Sequence, residues 1–377
     1  VNPGAKYSFP TRRRLKKGDE AMEITKDFPG GNIRLIRVDK DHVFLENELR
    51  DTAEDWFYWA FRVKGAAGRT VTFDFSPKAW IGYFGAAVSH DLMKWAWGGE
   101  VSEDRCAFTY AFGPDEDDVY FCHDLRYPVE RFERFAKERK LPVSTLCLSE
   151  KGAEQPLVTL GEGEDVFLFT SRHHCCESTG TYVMEGILSE LSERPIEGVK
   201  VLAVPFMDMD GVMAGDQGKS RAPHDHNRDY ADEPIYASVR AVKALAERYH
   251  IVYMLDLHSP WHLGGRNDVT FEVRKNLDLR PAQVRFGELL EEETRRDPAS
   301  FQYRTVNDMD ANVEWNRDEV MRRSSTGFFS HREGVRLCLS LETAYFGTPD
   351  NMATQENLVE YGRCVARALR AAWKEGV

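Results

Sequence analysis

The stretch from Asp165 to Ser192 reads DVFLFTSRHHCCESTGTYVMEGILSELS and decides the fold. Its first six residues form an apolar run of the length of a buried strand, and its second half is typical of a helix. The polar cluster SRHHCCE lies between the two. A buried strand that leads through such a cluster into a helix indicates an α/β sheet, in which chemistry gathers at the carboxyl ends of the strands.

The same alternation continues toward the C-terminus. Apolar runs at 199–204, 251–257 and 335–341 predict further buried strands, and helical spacing predicts helices at 234–248 and about 353–373. Continuous apolar strands that are separated by helices need helices on both faces of the sheet. We therefore predict a mixed, twisted sheet that is flanked by helices.

The first third of the chain has a different pattern. Aromatic and alternating runs, separated by glycine and proline turns, predict short strands at 56–63, 70–75, 106–112 and 119–122. Short antiparallel strands with frequent turns favour a small β-sandwich, and Pro128 opens a helix after it. A chain of 377 residues also exceeds the size at which one core stops growing. We predict a sandwich domain at 1–125 and a larger domain at 126–377.

Composition excludes several classes of function. The net charge is −12, so the basic surface that nucleic acids or anionic membranes require is not expected. No run approaches the roughly 18 apolar residues of a membrane span, and residues 1–30 lack the apolar centre of a signal peptide. Seven cysteines, an odd number, fit free thiols in a reducing compartment. We expect a cytoplasmic protein.

Three polar clusters follow predicted strands and provide a candidate metal site. His174 and Glu177 are three residues apart after the first strand, so they lie on one side of a helix or tight turn. His258 follows the strand at 251–257. Two histidines, one carboxylate and a water form an open catalytic zinc site. A His–Glu pair with a purely structural role would show the same spacing between His174 and Glu177. Glu342, after the strand at 335–341, could take a proton from the zinc-bound water.

These clusters resemble the zinc and substrate motifs of the cytosolic branch of the metallocarboxypeptidases. The segments that carry the resemblance are, in chain order, 172–177 (RHHCCE), 205–212 (PFMDMDGV), 225–228 (DHNR), 256–259 (DLHS) and 340–342 (SLE). Residues 28–33 (FPGGNI), 56–58 and 127–128 are similar to the sandwich domain that precedes the peptidase domain in this branch. The resemblance covers most of residues 28–347.

The resemblance implies a division of labour among the site residues. His174, Glu177 and His258 would bind one Zn²⁺ per chain, and Glu342 would act as general base and then as general acid. Cys175 and Cys176, between the first two ligands, are interpreted as small buried residues, with metal coordination or oxidation as the alternative. Neither role follows from the spacing of the cysteines alone.

The resemblance also assigns groups that bind substrate. Asn227 and Arg228 would clamp the terminal carboxylate of the substrate, and Arg221 would stabilise the oxyanion of the tetrahedral intermediate. The family places a tyrosine before the catalytic glutamate. Here Tyr345 follows Glu342 and the other candidate, Tyr303, lies well before it, so neither is assigned.

The predicted function is hydrolysis of a C-terminal amino acid from a peptide or protein by a zinc-activated water. Five basic residues could form a pocket for acidic C-terminal residues or could be a solvated face: Arg322, Arg323, His331, Arg332 and Arg336. Two other classes of function stay open: a zinc-dependent N-acyl amino acid deacylase or cell-wall peptide amidase, and a non-catalytic peptide-binding module. The oligomeric state and the role of the sandwich domain do not follow from the sequence.

Overall fold

Two five-stranded sheets come first in the computed structural model, which describes residues 22–317 and 322–377. Their strands are β1 (Glu23–Thr25), β2 (Arg34–Asp39), β3 (His42–Glu46), β4 (Ala60–Lys64), β5 (Thr70–Asp74), β6 (Ala86–Ser89), β7 (Ala96–Gly98), β8 (Glu100–Val101), β9 (Ala107–Ala111) and β10 (Asp118–Cys122). The orders are β1-β4-β10-β6-β7 and β2-β3-β5-β9-β8. All of these neighbours are antiparallel except β3 and β5, which run parallel.

An aromatic core joins the two small sheets. Phe61 on β4 and Phe73 on β5 belong to different sheets, and their ring centroids are 5.0 Å apart. Phe121 on β10 and Phe108 on β9 pack together in the same way at 5.5 Å. These rings are fully buried, which explains why aromatic residues alternate along the strands of this part of the sequence.

The predicted strand at 56–63 is wrong in its first half, because β4 begins only at Ala60. The backbone N–H of Tyr58 donates to the side chain of Gln217 (2.9 Å), and the carbonyl of Trp56 accepts from Asn47 (2.6 Å). The backbone groups of Trp56 and Tyr58 are thus used by side chains, and regular strand pairing begins only near Trp59, whose carbonyl accepts from the backbone N–H of His123 (2.9 Å). The run passes between the small sheets and the larger part of the chain.

A larger sheet and its helices follow. The strands are β11 (Val143–Leu148), β12 (Glu154–Leu160), β13 (Asp165–Ser171), β14 (Val199–Val204), β15 (His250–His258), β16 (Phe271–Arg274) and β17 (Leu337–Glu342), and a small hairpin comprises β18 (Gly347–Thr348) and β19 (Asn351–Met352). The helices are α1 (Val129–Arg139), α2 (Thr179–Glu193), α3 (Met209–Ala214), α4 (Ala237–Arg248), α5 (Arg280–Arg296), α6 (Ser325–Phe329) and α7 (Gln355–Glu375). Short 3-10 turns lie at His226–Arg228, Gly265–Asp268, Leu277–Leu279 and Thr305–Asn307.

The seven strands have the order β11-β12-β14-β13-β15-β17-β16. The four central strands are parallel, and the pairs at both edges are antiparallel. Alternate residues of β13 face opposite layers: Val166 packs in one core with Val239 of α4, and Phe167 packs in the other against Trp373 of α7. The predicted fold is confirmed: a mixed sheet between helices follows a β-rich N-terminal part.

Helices α2 and α7 approach each other closely on one face of the sheet. A Cβ atom on Gly186 would lie 1.9 Å from the carbonyl oxygen of Val359, and one on Gly362 would lie 2.0 Å from that of Val183. Only glycine fits at such a crossing, because any side chain would collide with backbone. The two glycines therefore set the distance between the helices.

The sheet has an irregularity at its first edge. The register between β11 and β12 shifts between Thr145 and Cys147, which marks a β-bulge, and Thr145 pairs with Pro156 beside it. Strand β11 is largely exposed, whereas β13, β15 and β17 are almost fully buried. The buried strands carry the polar clusters at their carboxyl ends.

Three further observations bear on the predictions. The small sheets end at Cys122 and α1 begins at Val129, while the domain boundary near residue 125 stays a prediction. All seven cysteines are free thiols. Within residues 22–317 and 322–377, no helix combines the length and the apolar character that crossing a membrane requires.

Candidate metal centre and pocket

The proposed metal ligands meet at the carboxyl ends of two neighbouring parallel strands. His174 and Glu177 lie in the loop that connects β13 to α2, and His258 is the last residue of β15. Because β13 and β15 pair up to Ser171 and Leu257, both strands deliver their polar residues to the same edge of the sheet. The convergence expected from the sequence is present in the structure.

The carboxylate of Glu177 lies between the two imidazoles. Its Oε1 is 2.7 Å from Nδ1 of His174, and its Oε2 is 2.6 Å from Nδ1 of His258. The ligand atoms of the three residues lie within 4.8 Å of one another, and all three side chains are buried. Two imidazole nitrogens and one carboxylate that converge in this way match the donor set of a catalytic zinc site, so the residues fit the metal that the resemblance implies.

The protonation states of His174 and Glu177 suit a cation, whereas that of His258 does not. Burial lowers the pKa of His174 to about 4, which leaves its imidazole neutral at neutral pH. Burial alone would raise the pKa of Glu177, but its interactions with His174, Lys219 and His258 hold it well below its ordinary value. Burial lowers the pKa of His258, yet the carboxylates of Asp256 and Glu177 raise it well above its ordinary value. A metal ion must therefore displace a proton from His258 to bind there.

Asp256 supports His258 from behind. Its Oδ2 lies 2.8 Å from Nε2 of His258 and accepts from the hydroxyl of Ser325, while its Oδ1 accepts from Thr170 (2.7 Å) and from Nδ1 of His173 (2.8 Å). His173, Asp256 and His258 form a second group whose ligand atoms lie within 4.8 Å. His173 and Asp256 are fully buried and do not border the pocket described below, so they orient His258 and are not part of the open site.

Glu342 ends β17 and pairs in register with His258. Burial, reinforced by the negative charge of Glu177, raises the pKa of Glu342 to about 7 although the charges of His258 and Lys219 oppose the shift. A carboxylate that titrates near neutral pH can both take up and release a proton during a reaction. Glu342 therefore lies beside His258 and lines the pocket, and its role as general base stays a prediction.

A pocket of about 240 Å³ opens above these residues. Its lining combines the proposed catalytic groups with cations and aromatic side chains: His174, His258, Glu342, Lys219, Asn227, Arg228, Trp56, Trp261 and Trp315. Trp56 precedes β4, so the N-terminal part of the chain also contributes to this pocket. A pocket with a few convergent polar groups and shifted pKa values is the expected form of an active site.

Asn227 and Arg228 reach the pocket from the 3-10 turn at His226–Arg228. The side chain of Asn227 lies 3.1 Å from Nε2 of His258 and accepts a hydrogen bond from the backbone N–H of Ser325 (2.9 Å). Arg228 donates to the carbonyl of Asn227 (2.9 Å). The structure thus brings both predicted substrate-binding residues together with the ligands.

Arg221 is not brought to the pocket. Its guanidinium forms ion pairs with Asp51 (3.0 Å), Asp208 (2.6 Å) and Asp216 (3.1 Å), and it does not line the cavity. Lys219, two residues earlier, does line it. Lys219 was not predicted from the sequence, where its only signal is a positive charge two residues before Arg221, in the segment between the proposed metal ligands.

The five basic residues considered for an acidic specificity pocket do not line this pocket either. Arg332 forms an ion pair with Glu247, Arg336 lies over the ring of Trp373, and Arg322 and Arg323 are exposed. The solvated face is the interpretation that these contacts favour.

The tyrosine that the family places near the glutamate has no counterpart at the pocket among the residues that the structure describes. Tyr345 is buried beside Cys176, and Tyr303 donates to Asp308. Burial raises the pKa of Cys175 well above its ordinary value and that of Cys176 to about 12, so both are protonated thiols at neutral pH. This agrees with their interpretation as small buried residues.

Comparison with known proteins finds similarity in the N-terminal part and in two curated proteins. Residues 24–123 match the model of the cytosolic carboxypeptidase N-terminal domain. An uncharacterised protein of Zymomonas mobilis is 25% identical over 258 residues, which cover 63% of this chain and 67% of that protein. Cytosolic carboxypeptidase 2 of Xenopus tropicalis is 26% identical over 180 residues, 40% of this chain and only 19% of the frog protein.

Solved structures resemble nearly the whole chain. The metallo-carboxypeptidase of Burkholderia cenocepacia has a TM-score of 0.78 at 19% identity and covers 94% of this chain and 100% of its own. The metallo-carboxypeptidase of Pseudomonas aeruginosa, solved with (2-guanidinoethylmercapto)succinic acid, has a TM-score of 0.75 at 19% identity and covers 94% and 99%. The fold is that of these metallo-carboxypeptidase structures, and residues 24–123 resemble the N-terminal domain of cytosolic carboxypeptidases.

Proposed function

We propose that this protein is a zinc-dependent carboxypeptidase that releases the C-terminal amino acid of a peptide or protein. The observation that carries the proposal is the convergence of His174, Glu177 and His258 beside a pocket that is lined by the two histidines and by Glu342. The fold and the family support a metal-dependent peptidase, and the donor set of two imidazoles and one carboxylate favours zinc among the metals that such enzymes use.

Zinc bound by these three residues would supply a water with a pKa near 7 and a Lewis acid for the scissile carbonyl. Glu342 borders the same pocket, and its pKa of about 7 allows it to take a proton from the attacking water at neutral pH. The protonated Glu342 then donates that proton to the departing amine. One side chain can perform both steps because the amine leaves from the carbon that the water attacks.

Asn227 and Arg228 would hold the terminal carboxylate of the substrate. A guanidinium offers two parallel N–H donors that match the two oxygens of a carboxylate. The pocket-lining cations are Arg228 and Lys219, so a free C-terminus is the expected anionic partner. Peptides that end in glutamate and in leucine, compared in one assay, would measure whether the preference extends to acidic side chains.

The test is zinc content together with release of free amino acids from a peptide library. We expect about one zinc per chain and amino-acid release from free C-termini. Glu342→Gln should lower kcat by about 10²- to 10⁴-fold, the usual contribution of a general base, while the zinc content stays the same. Glu333→Gln, the same chemical change at an exposed residue nine positions earlier, is the matched control and should be fully active.

The alternatives predict other results in the same assay. Hydrolysis of blocked acyl amino acids, with no action on peptides, would identify a deacylase or amidase. Purified protein that binds peptides but holds no metal would identify a binding module. Zinc-loaded Glu342→Gln with full activity would refute the mechanism proposed for this residue.

A further inference from the structure

Residues 215–221 follow α3 and contact the N-terminal part of the chain. This segment carries Lys219 and is called the Lys219 loop here. The N-terminal part binds the backbone where this loop begins. Asn32 donates to the carbonyl of Gly215 (2.7 Å), and Arg50 donates to the carbonyl of Ala214 (2.6 Å). The loop is therefore attached to the small sheets before it reaches the pocket.

Asp51 is the centre of this attachment. Its Oδ1 accepts from the backbone N–H of Gln217 (3.0 Å), and its Oδ2 accepts from the backbone N–H of Gly218 (2.8 Å) and from Nε of Arg221 (3.0 Å). The backbone N–H groups of the consecutive residues Gln217 and Gly218 thus share one carboxylate. Charge-assisted hydrogen bonds of this kind are stronger than neutral ones, so they fix the local backbone.

The backbone of the loop leaves little freedom of its own. Gly218 has φ +76, and a Cβ atom there would lie 2.3 Å from the backbone nitrogen of Cys175, between the proposed ligands. The side chain of Gln217 binds both backbone groups of Tyr58, accepting from its N–H and donating to its carbonyl at 2.9 Å each. The loop is pressed against the ligand segment on one side and held by the N-terminal part on the other.

Lys219 is the residue that this arrangement presents to the pocket. Its ammonium lies 3.1 Å from Nδ1 of His174 and 3.4 Å from Oε1 of Glu177, and 5.5 Å above the ring of Trp56. The side chain is 26% exposed, so the charge borders both the proposed metal ligands and the space for substrate. Arg221, in contrast, is paired with three carboxylates outside the pocket.

We propose that the N-terminal domain is a working part of the active site: Asp51 fixes the Lys219 loop, and Lys219 supplies the positive charge that stabilises the scissile carbonyl oxygen as it becomes an anion. The proposal rests on the hydrolytic function proposed above. Lys219 would be a catalytic residue and Asp51 a positioning residue. The oxyanion role that the family resemblance assigns to Arg221 would pass to Lys219.

The expected losses follow from these roles. Lys219→Met should lower kcat by about 10²- to 10³-fold with little change in KM, because a donor aimed at an oxyanion acts mainly in the transition state. Asp51→Asn should lower kcat by up to about 100-fold, because a displacement of the charge by about 1 Å is sufficient for such a loss. Asp118→Asn, which breaks the ion pair with Arg62 elsewhere in the N-terminal part, is the matched control and should be fully active.

The test is a double-mutant cycle on the zinc-loaded protein, with zinc content and thermal unfolding measured for each variant. If Asp51 acts through Lys219, Asp51→Asn should have no further effect on kcat in the Lys219→Met background. Calorimetry gives a readout besides activity: both single variants should weaken binding of a phosphinic dipeptide analogue, which mimics the tetrahedral anion, by factors similar to their losses in kcat. Affinity for the free product amino acid should change less than about threefold. If Asp51→Asn does not fold, Asp51→Glu, which displaces the acceptor oxygens, replaces it.

Four results would overturn the inference. The first is a double variant whose loss in kcat equals the product of the losses in the two single variants. The second is a Lys219→Met variant that binds the phosphinate as tightly as the wild type. The third is a wild-type protein that holds zinc but neither hydrolyses peptides nor binds the phosphinate, which would also refute the proposed function. The fourth is an active wild type with an unaffected Lys219→Met variant, which would refute the role of Lys219 but would leave the proposed hydrolytic function in place.

Discussion

Asp256 offers a direct test of how the proposed zinc ligand His258 is held. Four donors surround its carboxylate: Thr170 and His173 face Oδ1, and His258 and Ser325 face Oδ2. An asparagine has one acceptor oxygen, so in Asp256→Asn an NH₂ group must face two donors on one side or the other. If it faces His258, the imidazole proton is driven to Nδ1, the nitrogen that faces Glu177 and is needed for the metal.

The magnitude follows from the general effect of the partners behind metal ligands. Their loss costs about 10- to 100-fold in metal affinity, which corresponds to about 1.4–2.7 kcal/mol. We expect Asp256→Asn to fall in this range, because the carboxylate also contributes the charge that keeps the imidazole basic. Thr170→Val removes one of the four donors and leaves the oxygen that faces His258, so its metal affinity should stay within about threefold of the wild type.

The assay is competition for Zn²⁺ between the metal-free protein and a chromophoric chelator at neutral pH. Thermal unfolding with and without zinc provides a second measure, because a bound metal stabilises the folded state in proportion to its affinity. Asp256→Asn that binds zinc as tightly as the wild type would refute the reasoning. A loss in Thr170→Val equal to that in Asp256→Asn would also refute it, since the effect would then be one of general packing.

Three further predictions concern the substrate clamp, a helix crossing and a buried acid. Arg228→Met should lower kcat/KM for peptides with free C-termini by about 10- to 150-fold, the value of a charged hydrogen bond, and should abolish discrimination against C-terminal amides, measured on paired peptides. Gly186→Ala should lower the free energy of unfolding by about 1–3 kcal/mol in urea titrations, because the added methyl group meets the carbonyl of Val359; an unchanged midpoint would contradict this. Burial raises the pKa of Asp124 from its ordinary value of 3.8 to about 6, so the folded protein retains a proton that the unfolded chain loses. The stability from this proton is complete below about pH 4 and disappears as the pH rises through about 6, so Asp124→Asn should gain up to about 3 kcal/mol relative to the wild type from pH 4 to pH 8; parallel unfolding curves at these pH values measure it.

The sequence predicts the large sheet well because fully buried strands consist of continuous apolar runs. The runs at 199–204 and 251–257 match β14 and β15 within one residue at each end. The first four residues of the aromatic run at 56–63 are not a strand, since Gln217 and Asn47 occupy backbone groups that a strand would use. Those partners are distant in sequence, and no local pattern reveals them.

The candidate site also combines features that the sequence predicts with features that depend on contacts distant in sequence. That the proposed ligands and Glu342 lie close together could be predicted from their positions after strands, because parallel strands bring their carboxyl ends together. The choice between Arg221 and Lys219 does not follow, because both are cations in one short segment. Their orientation depends on Asp51, which binds the loop from the N-terminal part of the chain.

The bulge between β11 and β12 has a consequence for behaviour in concentrated solution. An end strand exposes a row of backbone groups to which a strand of another molecule could add, and this is how many aggregates begin. The extra residue between Thr145 and Cys147 bends and twists that row, and Pro156 opposite it has no N–H to extend a regular ladder. Deletion of Leu146 would restore a flat edge, and the molecule would then be more prone to form strand-to-strand oligomers.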